Sequence, residues 1–135
     1  MQRWLFKSEP SDYSIFDLKR DGRTTWNGIR NAVARNHLRS VSRGDPILFY
    51  HTGAEKAVVG VMRAITGPKK DPESDDPKAV ALEVEFYQAF ATPVTLQQIK
   101  RDRAFAGWDL VRISRLSVMP VNEKQWKRIE QLSGS

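Results

Sequence analysis

The segment AVALEVEFYQAF, residues 79–90, restricts the possible folds more than any other part of the chain, because apolar and polar residues alternate along it. A period of two is typical of a strand with one buried face. The predicted inward side carries Val80, Leu82, Val84 and Phe86. The predicted outward side carries Glu83, Glu85 and Tyr87. The chain is therefore expected to build a sheet around this strand.

Two apolar runs rich in β-forming residues precede this strand, at 46–52 and 57–67. The short polar segment between them predicts a turn that makes them antiparallel neighbours. Gly60 predicts a bulge or a close backbone contact within the second run. Further strands are predicted at 3–7 and, one or two of them, in the segment LVRISRLSVMPV at 110–121.

Helices are predicted wherever a capping residue precedes an apolar periodicity. The predicted N-caps are Ser14, Asn31, Thr95 and Asn122. Few strand neighbours are joined by a full crossover helix, whereas short turns join most of them. We therefore expect an α+β fold: a small mixed, largely antiparallel β-barrel surrounded by short helices.

Length and composition indicate one globular domain over residues 1–135, with no cysteine for disulfides or thiolate ligands. No apolar run approaches the length of a membrane span, so we expect a soluble, cytoplasmic monomer. The net charge of +6 favours a polyanionic partner. The segment 68–78 is charged and rich in proline, which predicts a mobile surface loop.

Sequence signatures of nucleotide-dependent enzymes, serine hydrolases and zinc sites are missing, so no cofactor and no metal are expected. His51 follows an apolar run at a strand end, where a structural histidine and a ligand contact are equally compatible with the sequence. His37 is interpreted as a solvated helix residue. Trp4, Trp108 and Trp126 are assigned to packing.

Two short motifs have both a structural and a functional interpretation. In KSEP, at 7–10, Ser8 is either a turn cap or a hydroxyl offered to a ligand beside Lys7. In WNGIRN, at 26–31, Trp26 is either core filler or a stacking wall, and Asn31 is either a helix cap or an amide that reads a planar ring. Spacing alone does not separate these interpretations.

The order of KSEP, WNGIRN, ARN at 34–36, FYH at 49–51 and VRISRLSVMPV resembles that in EVE-domain proteins over nearly the whole chain. The resemblance implies a PUA-like fold, related to the YTH and ASCH domains. It also implies a non-catalytic module that binds DNA or RNA carrying a modified base, with modified cytosine in DNA the expected target. Such a base would leave its stack and enter an aromatic and polar pocket.

Carried over by motif, the resemblance assigns six residues to the pocket: Lys7, Ser8, Trp26, Asn31, Tyr50 and His51. Trp26 is expected to stack, Ser8 and Asn31 to read the base edge, and Tyr50 or His51 to add polar contacts. Candidate phosphate contacts are Arg30, Arg35, Arg39 and Arg112, although the first three are equally compatible with a solvated helix face. Ser114 is a further candidate.

Two other functions remain open at this point. The chain is compatible with an enzyme acting on a nucleoside or nucleic acid, with His51 or Glu9 as general base, although no nucleophile or pair of carboxylates is evident. It is also compatible with a module that binds a small ligand or a protein.

Overall fold

The computed structural model describes residues 1–134. The strands are β1 (Arg3–Ser8), β2 (Arg23–Trp26), β3 (Pro46–His51), β4 (Ala57–Ala64), β5 (Lys69–Lys70), β6 (Val80–Thr95) and β7 (Val118–Val121). The helices are α1 (Ile15–Asp21), α2 (Ala32–Arg39), α3 (Leu96–Arg101), α4 (Asp109–Arg112) and α5 (Glu123–Ser133), with a 3-10 turn at Arg103–Phe105.

The four predicted helix starts are confirmed. Each N-cap side chain accepts a hydrogen bond from a backbone N–H in the first turn, which satisfies a donor that the helix itself leaves unpaired. These N-caps are Ser14, Asn31, Thr95 and Asn122. In three of the helices the cap and the third helical residue bond reciprocally, as a capping box requires.

The strands form one sheet in the order β2-β6-β4-β3-β1-β7, with β5 paired to β6. The sheet is mixed and largely antiparallel, as predicted, because only β1 and β3 run parallel within residues 1–134. The predicted closed barrel is wrong. In the part of the chain described, β2 and β7 lie at opposite ends and do not pair. Turn signals identify neighbouring strands, but closure depends on strand tilt and stagger, which they do not encode.

The parallel pairing of β1 with β3 aligns Lys7 with Tyr50 and Ser8 with His51. Strand β7 covers the other edge of β1 in the antiparallel sense. Parallel neighbours require a crossover connection. Residues 9–45 provide it, and they contain α1, β2 and α2. The WNGIRN motif is therefore part of this crossover.

Three local predictions were wrong or incomplete. Residues Leu110 and Val111 belong to helix α4, not to a strand. The strand β2 was missed because its residues RTTW are mostly polar and lie at the edge of the sheet. The loop at 68–78 contains the short strand β5, which pairs with the start of β6.

The core lies between the sheet and the helices, and large aromatic side chains dominate its centre. Phe6, Phe49 and Phe105 are fully buried. Trp4 is also buried, and its indole N–H donates to the buried carboxylate of Asp45 at 3.0 Å. Trp108 stacks on Phe105 with ring centroids 5.5 Å apart, so the prediction that it packs is confirmed. Trp126 is partly buried against the same core.

Helix α1 lies directly on strand β4 at Gly60. A methyl group added there would lie 2.3 Å from the carbonyl oxygen of Gln88 and 3.0 Å from Cγ1 of Ile15. The register between β4 and β6 also shifts at this point. The sequence-based expectation of a bulge or close contact at Gly60 is confirmed.

Among residues 1–134, no helix is both long enough and apolar enough to cross a lipid bilayer.

We expect Gly60→Ala to lower the free energy of unfolding by about 1–3 kcal/mol or more, because its Cβ would collide with backbone that cannot move aside easily. The matched control is Gly67→Ala, where nothing lies within 4 Å of the added methyl group. Urea denaturation of the two variants measures the difference. Equal stability of both variants would contradict the close packing of α1 on β4.

Candidate functional site

A cleft of about 280 Å³, which we call the tryptophan cleft, opens beside the ends of β1 and β2. It brings together Lys7, Ser8 and Trp26, three of the six residues that the sequence assigned to a pocket. The remaining lining residues were not predicted: Tyr13, Thr24, Thr25, Asn27 and Ile29. KSEP and the start of WNGIRN therefore meet at one site.

Trp26 serves the core and the cleft at once. Its ring packs against Phe6 at 5.6 Å and against Phe49, edge to face, at 5.4 Å between centroids. Only 7% of its surface is exposed. The two interpretations of this residue from sequence are thus compatible, because the core fixes the ring while an accessible part of it lines the cleft.

Some donors and acceptors of the cleft already form hydrogen bonds within the protein, so only the remaining ones can bind a ligand. The Lys7 ammonium donates one hydrogen bond to the Ser114 carbonyl oxygen at 2.9 Å and keeps two donors. The Ser8 hydroxyl donates to the carbonyl oxygen of Tyr13, so it retains acceptor capacity. Partial burial lowers the pKa of Lys7 from its ordinary value.

Asn27 was missed as a site residue, because the sequence reasoning assigned the amide role to Asn31. Its Nδ2 donates to the Glu73 carboxylate at 2.8 Å, with Asp71 at 3.5 Å as a second acceptor. Among the described residues, no donor contacts its Oδ1. The side chain of Asn27 therefore offers the cleft an acceptor.

Tyr13 was also missed, since it lies in the connection between β1 and α1, where no periodicity distinguishes it. Its hydroxyl donates to Asp21 at 2.9 Å. Burial and this hydrogen bond raise the pKa of Tyr13. The phenol therefore stays neutral near pH 7 and places a second aromatic ring at the tryptophan cleft.

A second cleft, of about 230 Å³, shares Lys7 with the tryptophan cleft, and we call it the lysine cleft. Its lining consists of Lys7, Tyr50, Thr52, Gly53, Lys56, Leu96, Lys100, Leu110, Val111 and Ser114. Tyr50 and Ser114 thus belong to this second cleft and not to the tryptophan cleft. Burial raises the pKa of Tyr50 to about 12.

His51 lines neither cleft, which corrects its assignment to the pocket. It is 2% exposed, and its Nε2 accepts a hydrogen bond from the Ile15 backbone N–H at 3.0 Å. Its Nδ1 lies 2.7 Å from the Glu55 carboxylate. An accepting Nε2 places the ring proton on Nδ1, so both nitrogens are occupied within the protein. The structural interpretation of His51 applies.

Asn31 also lies outside both clefts, because its side chain is used as the N-cap of α2. Its Oδ1 accepts from the Ala34 N–H at 3.0 Å. The capping role that the sequence offered as one alternative is the observed one.

The four candidate phosphate-binding arginines differ in their availability. Arg35 donates to the Ile29 carbonyl oxygen and pairs with Asp76 at 2.9 Å. Arg39 donates to Asn36 and to the Lys78 carbonyl oxygen, and Arg112 pairs with Asp109. Arg30 is exposed, and the described part of the chain provides it with no polar partner. The acidic loop after β5 therefore binds two of the arginines of α2 and neutralises part of the positive charge of that helix.

Metal chemistry has no obvious ligand set here. Within residues 1–134, no group of three or more histidine, aspartate or glutamate side chains could hold an ion together.

Comparison with known proteins gives a consistent family assignment. The model of the EVE domain family matches residues 2–132. Mouse thymocyte nuclear protein 1 is 31% identical over 163 aligned positions, which cover 96% of this chain and 72% of the mouse protein.

Solved structures agree with this result. A protein from Agrobacterium tumefaciens superposes with a TM-score of 0.95 at 31% identity, covering 99% of this chain and 94% of the other. The human THYN1 protein, solved in complex with DNA containing 5-methylcytosine, superposes with a TM-score of 0.91 at 25% identity. That match covers 100% of this chain and 99% of the human one.

We expect His51→Ala to lower the free energy of unfolding by about 2–4 kcal/mol, because the Ile15 N–H loses its acceptor and a cavity remains. Glu55→Gln is the control, because the Glu55 side chain is exposed and the amide oxygen of the new glutamine can still accept from His51 Nδ1. Urea denaturation measures both. A stable His51→Ala protein that fails to bind ligand would restore His51 to the site.

We expect wild type to lose stability relative to Tyr50→Phe between pH 10 and about pH 12. Burial raises the folded-state pKa of Tyr50 above its unfolded value, so below pH 10 the phenol is neutral in both states. Above pH 10 the unfolded state loses the proton first, and the free energy of unfolding of wild type falls until the pH reaches the folded pKa. The shift corresponds to roughly 1–2 kcal/mol when screening by solvent in the cleft is included. Urea denaturation at pH 9.5 and 11.5 tests this. A constant difference between the two proteins would contradict it.

Proposed function

The chain belongs to the EVE domain family, and from that premise we propose that it is a non-catalytic module that binds DNA containing a modified cytosine in the tryptophan cleft. The observation that carries the proposal is the meeting of Lys7, Ser8, Trp26 and Asn27 around one cleft of about 280 Å³. The complex of the human THYN1 protein with 5-methylcytosine-containing DNA supports the choice of DNA and of this base.

The cleft has the chemistry of a site for one planar heterocycle. Trp26 and Tyr13 supply aromatic surface, and aromatic stacking on a base contributes about 1–3 kcal/mol. Thr24, Thr25 and Ile29 complete the walls. A base that enters must leave its stack in the duplex, which costs a few kcal/mol that these contacts offset.

The polar groups of the cleft match the edge of cytosine. The remaining donors of Lys7 suit the ring nitrogen and carbonyl oxygen of the base, which are acceptors. The Asn27 Oδ1 and the Ser8 hydroxyl oxygen suit its exocyclic amino group, which is a donor. Thymine and uracil present a carbonyl at the amino position, so these acceptors disfavour them.

Charge favours the same partner. The chain has a net charge of +6, and Arg30 lies exposed next to the residues that line the tryptophan cleft. Such a surface gains affinity for a polyanion through counterion release. We assign Arg30 to phosphate contact, because Arg35, Arg39 and Arg112 are held by protein partners.

Catalysis is disfavoured by the positions of the two candidate bases. The ring nitrogens of His51 are occupied by Ile15 and Glu55. The Glu9 carboxylate accepts hydrogen bonds from the Thr52 and Ser11 hydroxyls and does not line the tryptophan cleft. The cleft therefore supports recognition of a base better than chemistry on one.

The test is fluorescence anisotropy with labelled oligonucleotides that differ at one position: cytosine, 5-methylcytosine, its oxidised forms, thymine and methyladenine. We expect wild type to prefer a modified cytosine. Asn27→Ala is expected to lose about tenfold, or about 1.4 kcal/mol, in affinity for that probe and much of its preference over thymine.

The matched control is Asn36→Ala, an exposed asparagine on α2 that lines neither cleft. Trp26→Phe gives a second variant that retains an aromatic ring, whereas Trp26→Ala would also open the core. Thermal melting establishes that each variant is folded. Equal binding of all probes by wild type, or an unchanged preference in Asn27→Ala, would remove the assignment.

A further inference from the structure

The lysine cleft has no role in the function proposed above, yet it shares a wall with the tryptophan cleft. Lys7 lines both of them, and Tyr50 lies beside Lys7 in the parallel β1–β3 pair. The Lys7 ammonium lies 5.6 Å from the centroid of the Tyr50 ring. A group bound in the lysine cleft would therefore be a near neighbour of a base bound in the tryptophan cleft.

The lysine cleft carries more lysines than carboxylates. Three of its lining residues are Lys7, Lys56 and Lys100, and no aspartate or glutamate lines it. In the described part of the chain, none of these three lysines forms an ion pair. One carboxylate, that of Glu9, lies against two of the lining residues. It accepts from the Thr52 hydroxyl at 3.1 Å, and its Oε2 would lie 2.8 Å from a Cβ added at Gly53.

The rest of the lining is partly apolar. Leu96, Leu110 and Val111 give the cleft an apolar side. Tyr50 is neutral at physiological pH, since its pKa is about 12, and its hydroxyl is a potential donor. Within residues 1–134, no protein group bonds to that hydroxyl.

The set of donors favours phosphate over a carboxylate. No arginine lines the cleft, so the planar fork that pairs with a carboxylate is missing. Lysine side chains that line one cleft from separate elements instead suit a compact anion with several oxygens. Lys7 comes from β1, Lys56 from the turn before β4 and Lys100 from α3.

We infer that the lysine cleft is a phosphate-binding site that receives a phosphate next to the base held in the tryptophan cleft. This inference rests on the proposed function for the identity of the neighbouring base. The phosphate has two sources: the backbone of a polynucleotide or the phosphate of a free mononucleotide. If the source is a polynucleotide backbone, replacing the lysines of the cleft weakens the binding of oligonucleotides. If the source is a free mononucleotide, the same replacement weakens the binding of single nucleotides.

The experiment uses Lys56→Gln, Lys100→Gln and the double variant. Both side chains are exposed, so the fold is expected to persist, and thermal melting checks it. The matched control is Lys124→Gln, which removes one charge from an exposed lysine that lines neither cleft. Binding of a methylcytosine-containing single strand is measured across a range of salt concentrations.

We expect the double variant to bind the oligonucleotide at least about tenfold more weakly than the control. The slope of log affinity against log salt should also fall by about 0.7 for each phosphate that the variant no longer neutralises. The preference for methylcytosine over cytosine should remain, because the tryptophan cleft is intact. Affinity and salt slope equal to those of Lys124→Gln would overturn the inference for polynucleotides.

A second arm uses amide NMR with 5-methyldeoxycytidine, its 5′- and 3′-monophosphates, and inorganic phosphate. If free nucleotides are the source, a monophosphate should bind at least about tenfold more tightly than the nucleoside. It should also shift the amides of Thr52 and Gly53, and both effects should vanish in the double variant. If neither arm separates the double variant from the control, the lysine cleft is not a phosphate site.

The two proposals fail differently. Suppose that wild type binds every base alike, but that its affinity and the salt dependence of that affinity depend on Lys56 and Lys100. The proposed function then fails, and the inference that the lysine cleft binds phosphate stands. If base preference is strong and the lysine variants behave like Lys124→Gln, the proposed function stands and the inference fails.

Discussion

The parallel pairing of β1 with β3 is the constraint on which the rest of the structure depends. Two parallel neighbours cannot be joined by a tight turn, so residues 9–45 must cross over and return to the sheet. That crossover contains α1, β2 and α2, and it places Trp26 against Phe6 and Phe49 of the paired strands. One pairing thus determines both the centre of the core and the wall of the tryptophan cleft. The hydrogen bond from the Ile15 N–H to His51 holds the start of the crossover against β3.

Much of this architecture could be predicted because its signals are local. Capping residues mark helix starts by their own hydrogen bonds, and the alternation at 79–90 marks β6 by the period of its side chains. The parallel β1–β3 pair and the open sheet could not be predicted in this way, since both depend on residues far apart in the chain. Strand β2 gave no apolar pattern because its residues at the sheet edge are largely polar.

The residues that line the clefts could be predicted only in part. Lys7, Ser8 and Trp26 line the tryptophan cleft, and Tyr50 lines the lysine cleft. Asn31 and His51 carry the right functional groups but use them to cap α2 and to hold α1. A sequence shows which functional groups are present, but not which of them already form hydrogen bonds within the folded protein. Asn27 shows the converse, because its interaction with Glu73 orients the amide through a loop 46 residues away.

The position of Lys7 between the two clefts has a thermodynamic consequence. Its ammonium is a single group with a limited number of donors, and it lines both sites. A ligand in one cleft that changes the position or protonation of this ammonium alters the affinity of the other cleft. Linkage requires the effect to be reciprocal, with the same factor in both directions. Under the two proposed assignments, this shared side chain couples the clefts, so that occupancy of either one changes the affinity of the other.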